Sequence, residues 1–327
     1  MARTLIGAAD IGGTKILTAV VDDDGHVLGE RRIATEPERG PEDGLARLID
    51  ALAGAAADAG IAVAALRALG ITIPGPIDPR TQVLPAAPNL PGWKNVPLGR
   101  MLRERSGLPV VVENDANAAA LGEYTRGAGR GTRDMTYVTA STGIGGGIIA
   151  NGQLVSGLNG AAGEIGHMTI LVDGPVCGCG RRGCLEALAS GTAIAREAAR
   201  LIAEGRAPLL AQRAGATPTA KHVAETAAAG DEVAQQLLDD AARYLGIGLM
   251  NLIHILNPEA IVVGGGLTKI PGFLDRAATV AREHAIPLMA ERLRIVPAAL
   301  GDRSGVVGVA WLALQQGDTG RGAEEQA

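Results

Sequence analysis

Aromatic residues are nearly absent from this 327-residue chain. They make up 2% of it, with a single phenylalanine, Phe273. Base stacking on single-stranded nucleic acid needs such rings, so their scarcity argues against that partner. The cores must instead be aliphatic, drawn from the 47% of residues that are hydrophobic. A dense Lys/Arg run is also missing and the net charge is −5, which argues against any phosphate-backbone partner. Arg126, Arg130 and Arg133 read as a solvated loop. No uncharged apolar stretch reaches the roughly 18 residues of a membrane span. The longest candidate, Tyr244 to Pro258, carries Asn251 and His254 and reads as a buried helix ending at Asn257-Pro258. No signal-peptide pattern opens the chain, and the expected setting is a reducing cytoplasm.

Cysteine is scarce too, but not scattered. All three, Cys177, Cys179 and Cys184, fall within eight residues, with His167 just upstream. Ordinary core cysteines would be spread along the chain, and a disulfide would leave one thiol over. Three thiolates and one imidazole make a closed tetrahedral zinc set, structural because no position is left open. The flanking carboxylates, Glu164 and Glu186, would then be held near one another, where they could grip a polar ligand. The segment also spells G-x-G-x-x-G at Gly178, Gly180 and Gly183. Cysteines interrupt it and it does not join a strand to a helix, so it is not a nucleotide fingerprint.

The length suggests two domains. Apolar runs at Thr4–Ala9, Ile16–Val21 and Val27–Ile33, separated by glycine turns, predict a three-strand meander. A helix over about 41–60, a strand over 68–73, a buried strand over 110–112 and a helix opening at Ala116 follow. The order strand, Gly/Thr turn, strand, short turn, strand recurs from Met135 to Val155, which points to an internal duplication. Helices are expected near 191–204, 221–229 and 231–256, then a strand over 260–263 and a last helix from about Gly305. Two similar α/β halves facing each other across a cleft are the natural reading, with the boundary near residues 116–120. The expected division is a small domain of residues 1–118, rejoined by a C-terminal helix at about 304–316, and a large domain of 119–303 that carries the zinc segment 167–184. The Gly- and Glu-rich tail after about Gln315 is expected to fray.

Three glycine turns could meet a nucleotide. Asp10-Ile-Gly12-Gly13-Thr14-Lys15 offers backbone N–H groups, a hydroxyl and a cation to an anion, and Asp10 could orient Mg2+ through water. It is not a Walker A loop. Thr142-Gly143-Ile-Gly145-Gly-Gly147 has the same chemistry in the second half, and Gly264-Gly265-Gly266 could admit a flat ring or ribose. Each is as readily a plain turn or cap; together in a duplicated chain they favour a nucleotide. Asp115 lies where a buried strand becomes a helix. Such an aspartate is often only a cap, but phosphoryl transfer to an alcohol needs a carboxylate to accept the hydroxyl proton, and a helix N-terminus favours its ionised form.

These residues resemble the ROK family of bacterial sugar kinases and sugar-responsive repressors. The resemblance rests on Asp10–Lys15, Pro74-Gly-Pro76, Pro88-Asn-Leu-Pro-Gly-Trp93, the run from Glu113 to Glu123, Gly163-Glu-Ile-Gly-His167 and Cys177–Glu186. It covers essentially the whole chain and is nearest to the family's glucokinases. It implies a two-domain actin-like fold, a duplicated ribonuclease H-like α/β plan with an interdomain cleft, usually in a homodimer or tetramer. It implies ATP and Mg2+ as phosphoryl source, a hexose as acceptor and a structural Zn2+. Asp115 would be the general base on the 6-hydroxyl of the sugar. Gly75, Asn89, Asn114, Asp115, Glu164, His167 and Glu186 would line the sugar site. Gly12, Gly13, Thr14 and Lys15, with Thr142 and Gly143, would face the phosphates, and Gly265 and Gly266 the adenosine. His167, Cys177, Cys179 and Cys184 would hold zinc, with the second His167 nitrogen available to a sugar hydroxyl. Kinases for N-acetylmannosamine, mannose, allose or fructose share most of these motifs, and polyphosphate could replace ATP. The family's repressors carry a helix-turn-helix ahead of the first strand, for which the three residues before Thr4 leave no room. A kinase is therefore expected over a regulator.

Overall fold

Each half of the chain lays down a five-stranded sheet, and the two sheets have the same strand order. The computed structural model describes residues 3–78, 80–87 and 89–324. Pro88, first residue of the Pro-Asn-Leu-Pro-Gly-Trp run, and the last three residues of the tail lie outside the described residues. In chain order the first half runs β1 (Leu5–Ile11), β2 (Lys15–Asp22), β3 (Val27–Ala34), α1 (Gly40–Asp58), β4 (Leu69–Ile73), β5 (Leu84–Ala86), β6 (Lys94–Val96), α2 (Leu98–Ser106), β7 (Val110–Asn114) and α3 (Asp115–Arg126). The second runs β8 (Met135–Ala140), β9 (Ile144–Ala150), β10 (Gln153–Leu154), α4 (Leu185–Ala189), α5 (Gly191–Ala203), α6 (Pro208–Ala214), α7 (Ala220–Ala228), α8 (Glu232–Leu256), β11 (Ala260–Gly264), α9 (Phe273–His284), α10 (Pro287–Ala290), β12 (Arg294–Pro297) and α11 (Ser304–Glu324).

The sheets read β3-β2-β1-β4-β7 and β10-β9-β8-β11-β12. In the first, β1 pairs antiparallel with β2 and parallel with β4, and β4 lies parallel to β7. In the second, β11 lies parallel to both β8 and β12. This is the duplicated α/β plan of an actin-like chain. By its internal contacts the chain forms two compact units. One holds residues 1–131, 147–163 and 299–327; the other holds 132–146 and 164–298.

In the first unit, side chains alternate between the two sheet faces, and each face is covered by helices, as burial of both faces demands. Leu45, Leu48 and Leu52 of α1 pack on Ile11, Ile71 and Ile73. Ile6, Ala8 and Leu17 meet Ala118 of α3 and Val306, Val309 and Ala313 of α11. Glycine lets α3 and α11 touch backbone to backbone: a Cβ on Gly308 would stand 1.8 Å from Ala118 O. The helix expected to end near 316 continues to Glu324. In the second unit the core forms around α8, whose Leu245, Leu249 and Ile253 pack with Val138, Ile261, Val263 and Phe273. Asn257, at φ 44, caps α8 where Asn257-Pro258 predicted its end. No described helix is long and apolar enough to cross a membrane.

Candidate active site

The first unit gathers its polar groups at the ends of β1, β4 and β7. Asp10 accepts a hydrogen bond from Thr72 Oγ1 at 2.9 Å. Burial pushes its carboxyl up, against the pull of that bond and of Lys15. In the hairpin that follows, the Gly12 N–H donates to Lys15 O at 2.9 Å; this amide closes the turn. Gly13 has no room for a side chain, because a Cβ would stand 2.8 Å from Asn89 Cβ. Two of the predicted site residues therefore touch. Lys15 Nζ lies 3.2 Å from Asp302 Oδ2.

At the β7–α3 step the cap is Asn114. It keeps extended backbone, and its Oδ1 accepts from the N–H groups of Ala116 at 2.9 Å and Asn117 at 3.1 Å. Asp115 already has its place in the first turn of the helix, so it is not the cap. Asn114 Nδ2 donates to Gly75 O at 3.1 Å, which joins a third predicted sugar residue to the pair. Gly75 sits at φ 103, in the left-handed region that glycine tolerates.

The second unit holds the cysteine segment. His167 Nδ1 lies 3.7 Å from Cys177 Sγ, and Cys179 Sγ lies 3.7 Å from Cys184 Sγ. All four donor atoms fall within 4.8 Å of one another. Two thiolates 2.3 Å from a tetrahedral zinc would stand about 3.8 Å apart, so the donor set fits that ion. Burial pushes the Cys184 thiol up to about 12 and raises Cys177, while the Arg181 backbone N–H lowers Cys179. The other ring nitrogen, His167 Nε2, is 3.9 Å from Glu164 Oε2. Glu186, in the first turn of α4, accepts the Ile144 N–H at 2.9 Å and lies 3.8 Å from Cys177 Sγ. A Cβ on Gly143 would meet Glu186 Oε2 at 2.5 Å, so a predicted phosphate residue and a predicted sugar residue are neighbours.

The same unit contains a cavity of ≈ 840 Å³. Thr142 and Gly266 line it, together with Thr192, Lys221, Lys269 and an apolar wall of Ala220, Ala224, Ala228, Ile270 and Pro271. Gly265, at φ 91, follows β11 and caps the short 3-10 turn Gly266–Lys269; it lies against Ala140 O, where a Cβ would be 2.3 Å away. The second glycine turn is shorter than expected. It stops at Gly143, and Gly145–Gly147 belong to β9. Gly146 is bare because Ile165 packs on it, a Cβ lying 2.1 Å from Ile165 Cδ1. Sequence reasoning missed the wall of α7, whose alanines at i, i+4 and i+8 look like an ordinary core face. It also missed two buried acids. Glu123 is fully buried and accepts from the N–H groups of Ala128, Ala299 and Leu300 and from Ser304 Oγ, all at 2.7 to 2.9 Å. Glu113 is the other.

A model of the ROK family matches residues 6–316. A glucokinase of Halalkalibacterium halodurans is 40% identical over 312 residues, 94% of each chain. An N-acetylmannosamine kinase of Escherichia fergusonii is 35% identical over 311 residues, 94% of this chain and 97% of its own. The crystal structure of a ROK family glucokinase from Streptomyces griseus in complex with glucose and AMPPNP is similar with a TM-score of 0.81 at 39% identity, covering 95% of this chain and 99% of that one. A family match spanning nearly the whole chain, with relatives at this identity, places it: the protein belongs to the ROK family.

Proposed function

We propose that this protein is an ATP-dependent hexose kinase that phosphorylates the 6-hydroxyl of glucose, with Asp115 as general base. The observation that carries this reading is the β7–α3 step. Asn114 is fixed by its cap and by Gly75, and the residue after it, Asp115, places its carboxylate in the first turn of α3. The chain also matches a glucose- and AMPPNP-bound relative over nearly its whole length. Asp115 takes the 6-hydroxyl proton as that oxygen bonds to the γ-phosphorus and the bond from phosphorus to the ADP oxygen breaks. The helix N-terminus favours ionised Asp115, and the loose transition state asks little basicity of it.

Gly75, Asn89, Asn114, Glu164, His167 and Glu186 orient the sugar hydroxyls in this reading. Gly12, Gly13, Thr14, Lys15, Thr142 and Gly143 serve the phosphates, and Gly265 and Gly266 the adenosine. The apolar wall of Ala220, Ala224, Ala228, Ile270 and Pro271 in the ≈ 840 Å³ cavity suits a flat base, which favours ATP over polyphosphate. Asp10 suits Mg2+ bound through water, since Thr72 holds one of its oxygens; the ion's chemistry is charge neutralisation on the phosphates. His167, Cys177, Cys179 and Cys184 suit a structural zinc, which stiffens the segment bearing Glu164 and Glu186. The base lies in the unit of residues 1–131, 147–163 and 299–327, and the zinc donors and the cavity in that of 132–146 and 164–298. We place the protein in the reducing cytoplasm, as a homodimer. The second reading is an N-acetylmannosamine kinase, which the relative at 35% identity favours.

A panel of glucose, N-acetylmannosamine, mannose, allose and fructose, each with ATP or polyphosphate, tests this. Glucose with ATP is expected to give the highest kcat/KM. N-acetylmannosamine in first place would install the second reading, and no ADP release with any sugar would reject both.

A further inference from the structure

Just before the pair Asn114-Asp115 stands an acid that the proposed reaction does not use. Glu113 is 7% exposed and, among the described residues, forms no ion pair. Its Oε1 accepts two hydrogen bonds, from the Asn114 backbone N–H at 2.9 Å and from Asn117 Nδ2 at 3.0 Å. Asn117 is 1% exposed. Its Oδ1 is buried and has no hydrogen-bond partner among the described residues. The groups around Glu113 offer no balancing charge. Thr72 stands opposite on β4, with Asp10 beyond it on β1. Asp115 follows on α3, and Gly305 of α11 lies against Thr72 and Asp10.

An ionised carboxylate in that place would be a buried charge without a partner, which is strongly disfavoured. A neutral carboxylic acid and a primary amide, by contrast, pair through two hydrogen bonds. The amide N–H donates to one carboxyl oxygen, and the acid O–H donates to the amide oxygen. The first of these bonds is present at 3.0 Å. The second supplies the donor that Asn117 Oδ1 lacks.

We propose that Glu113 is a positioning residue, held as a neutral acid paired with Asn117, which fixes the β7–α3 step that presents Asn114 and Asp115. Burial pushes its carboxyl above the usual range, against the hydrogen bonds from Asn117 and Asn114. The same Oε1 holds the Asn114 N–H, so the acid ties the last residue of the strand to the first turn of the helix. The proposal rests on the reading of Asp115 as the base.

Carbon-13 NMR of the full chain labelled at glutamate carboxyls, with Glu113→Gln used for assignment, reads the protonation state. A protonated resonance for Glu113 at pH 7 is expected; an ionised one overturns the proposal. Two variants read the positioning role. Glu113→Gln keeps an N–H donor where the acid had its O–H, and kcat/KM is expected within about two-fold of the parent. Glu113→Met fills similar volume without polar atoms, and kcat is expected to fall on the order of 100-fold with hexose KM changed only a few-fold, as misplacement of a reacting group implies. A Met variant as active as Gln would make Glu113 mere filler. A Gln variant as impaired as Met would make the negative charge essential. Either result overturns the proposal. Stability gives an independent check. A carboxyl whose folded pKa is raised loses stabilising effect as pH rises from its ordinary value, 4.5, through the folded value. The parent should lose Tm relative to Glu113→Gln over that span; parallel Tm profiles would contradict the neutral pair. Asp115→Asn is assayed alongside. Full turnover there defeats the base reading and leaves the NMR result for Glu113 standing.

Discussion

The two regions that supply polar groups to the proposed reaction are built in opposite ways. The β7–α3 step is regular structure: a strand paired along its length with β4, a capped helix, and a hydrogen bond for each of Glu113, Asn114 and Asn117. The segment from Glu164 to Cys184 has little regular structure. It contains a 3-10 turn at Ile165–His167 and two isolated bridges, Thr169↔Cys184 and Val176↔Arg182. Ile165, 3% exposed, anchors the segment's start in the core around α8, but its later apolar side chains do not pin it, since Val172 is 78% exposed and Val176 54%. Around the cysteines the buried cluster is small, Cys177 and Cys184 with Ala187. A carboxylate set by backbone hydrogen bonds keeps its place unaided. A carboxylate set by a loop with so small a core of its own would gain its place from the ion that the loop's donors fit.

That contrast can be broken by perturbing each region alone. Asp115→Asn should lower kcat by about 10²- to 10⁴-fold, the usual worth of a general base, with glucose binding by calorimetry little changed; turnover near that of the parent would remove Asp115 from the chemistry. Cys179→Ser, or chelation of the parent, should abolish bound zinc and raise hexose KM by roughly 10- to 100-fold, while kcat at saturating sugar stays closer to the parent value. A metal-free protein with unchanged KM would mean that the loop holds itself. Glu186→Gln should raise hexose KM about 10-fold, the scale of one charge-assisted hydrogen bond, and an unaltered KM would take Glu186 out of the site. Asn114→Ala should cost about 1 kcal/mol of stability through the lost cap, read as a lower midpoint in denaturant; no shift would show that the helix end does not depend on it.

The sequence declared these two regions unequally. Clustered cysteines and one histidine announce a metal set by composition alone, and the structure brings the four donors together. The repeated strand-turn-strand pattern foretold two sheets of one order, and Asn257-Pro258 foretold the end of α8. Short α2 was missed because its run Arg100-Met-Leu-Arg-Glu-Arg105 is mostly charged, and only Leu98, Gly99, Met101 and Leu102 are buried. The run Gly145–Gly147 looked like a loop because glycine usually marks turns, whereas here it admits Ile165 and Ala120 against a strand. The cavity wall of α7 was hidden in alanines that any core helix would show. Glu113 and Glu123 were read as motif letters, since nothing in a linear sequence tells a buried carboxyl from a solvated one.

Phosphorus-31 NMR of the protein with glucose, ATP and Mg2+ tests the kinase reading most directly, with Asp115→Asn run beside it. The expected result is loss of the γ-phosphate signal with growth of one sugar 6-phosphate signal per ADP in the parent, and persistent ATP in the variant. ATP that persists in the parent, or that yields only inorganic phosphate, would contradict it.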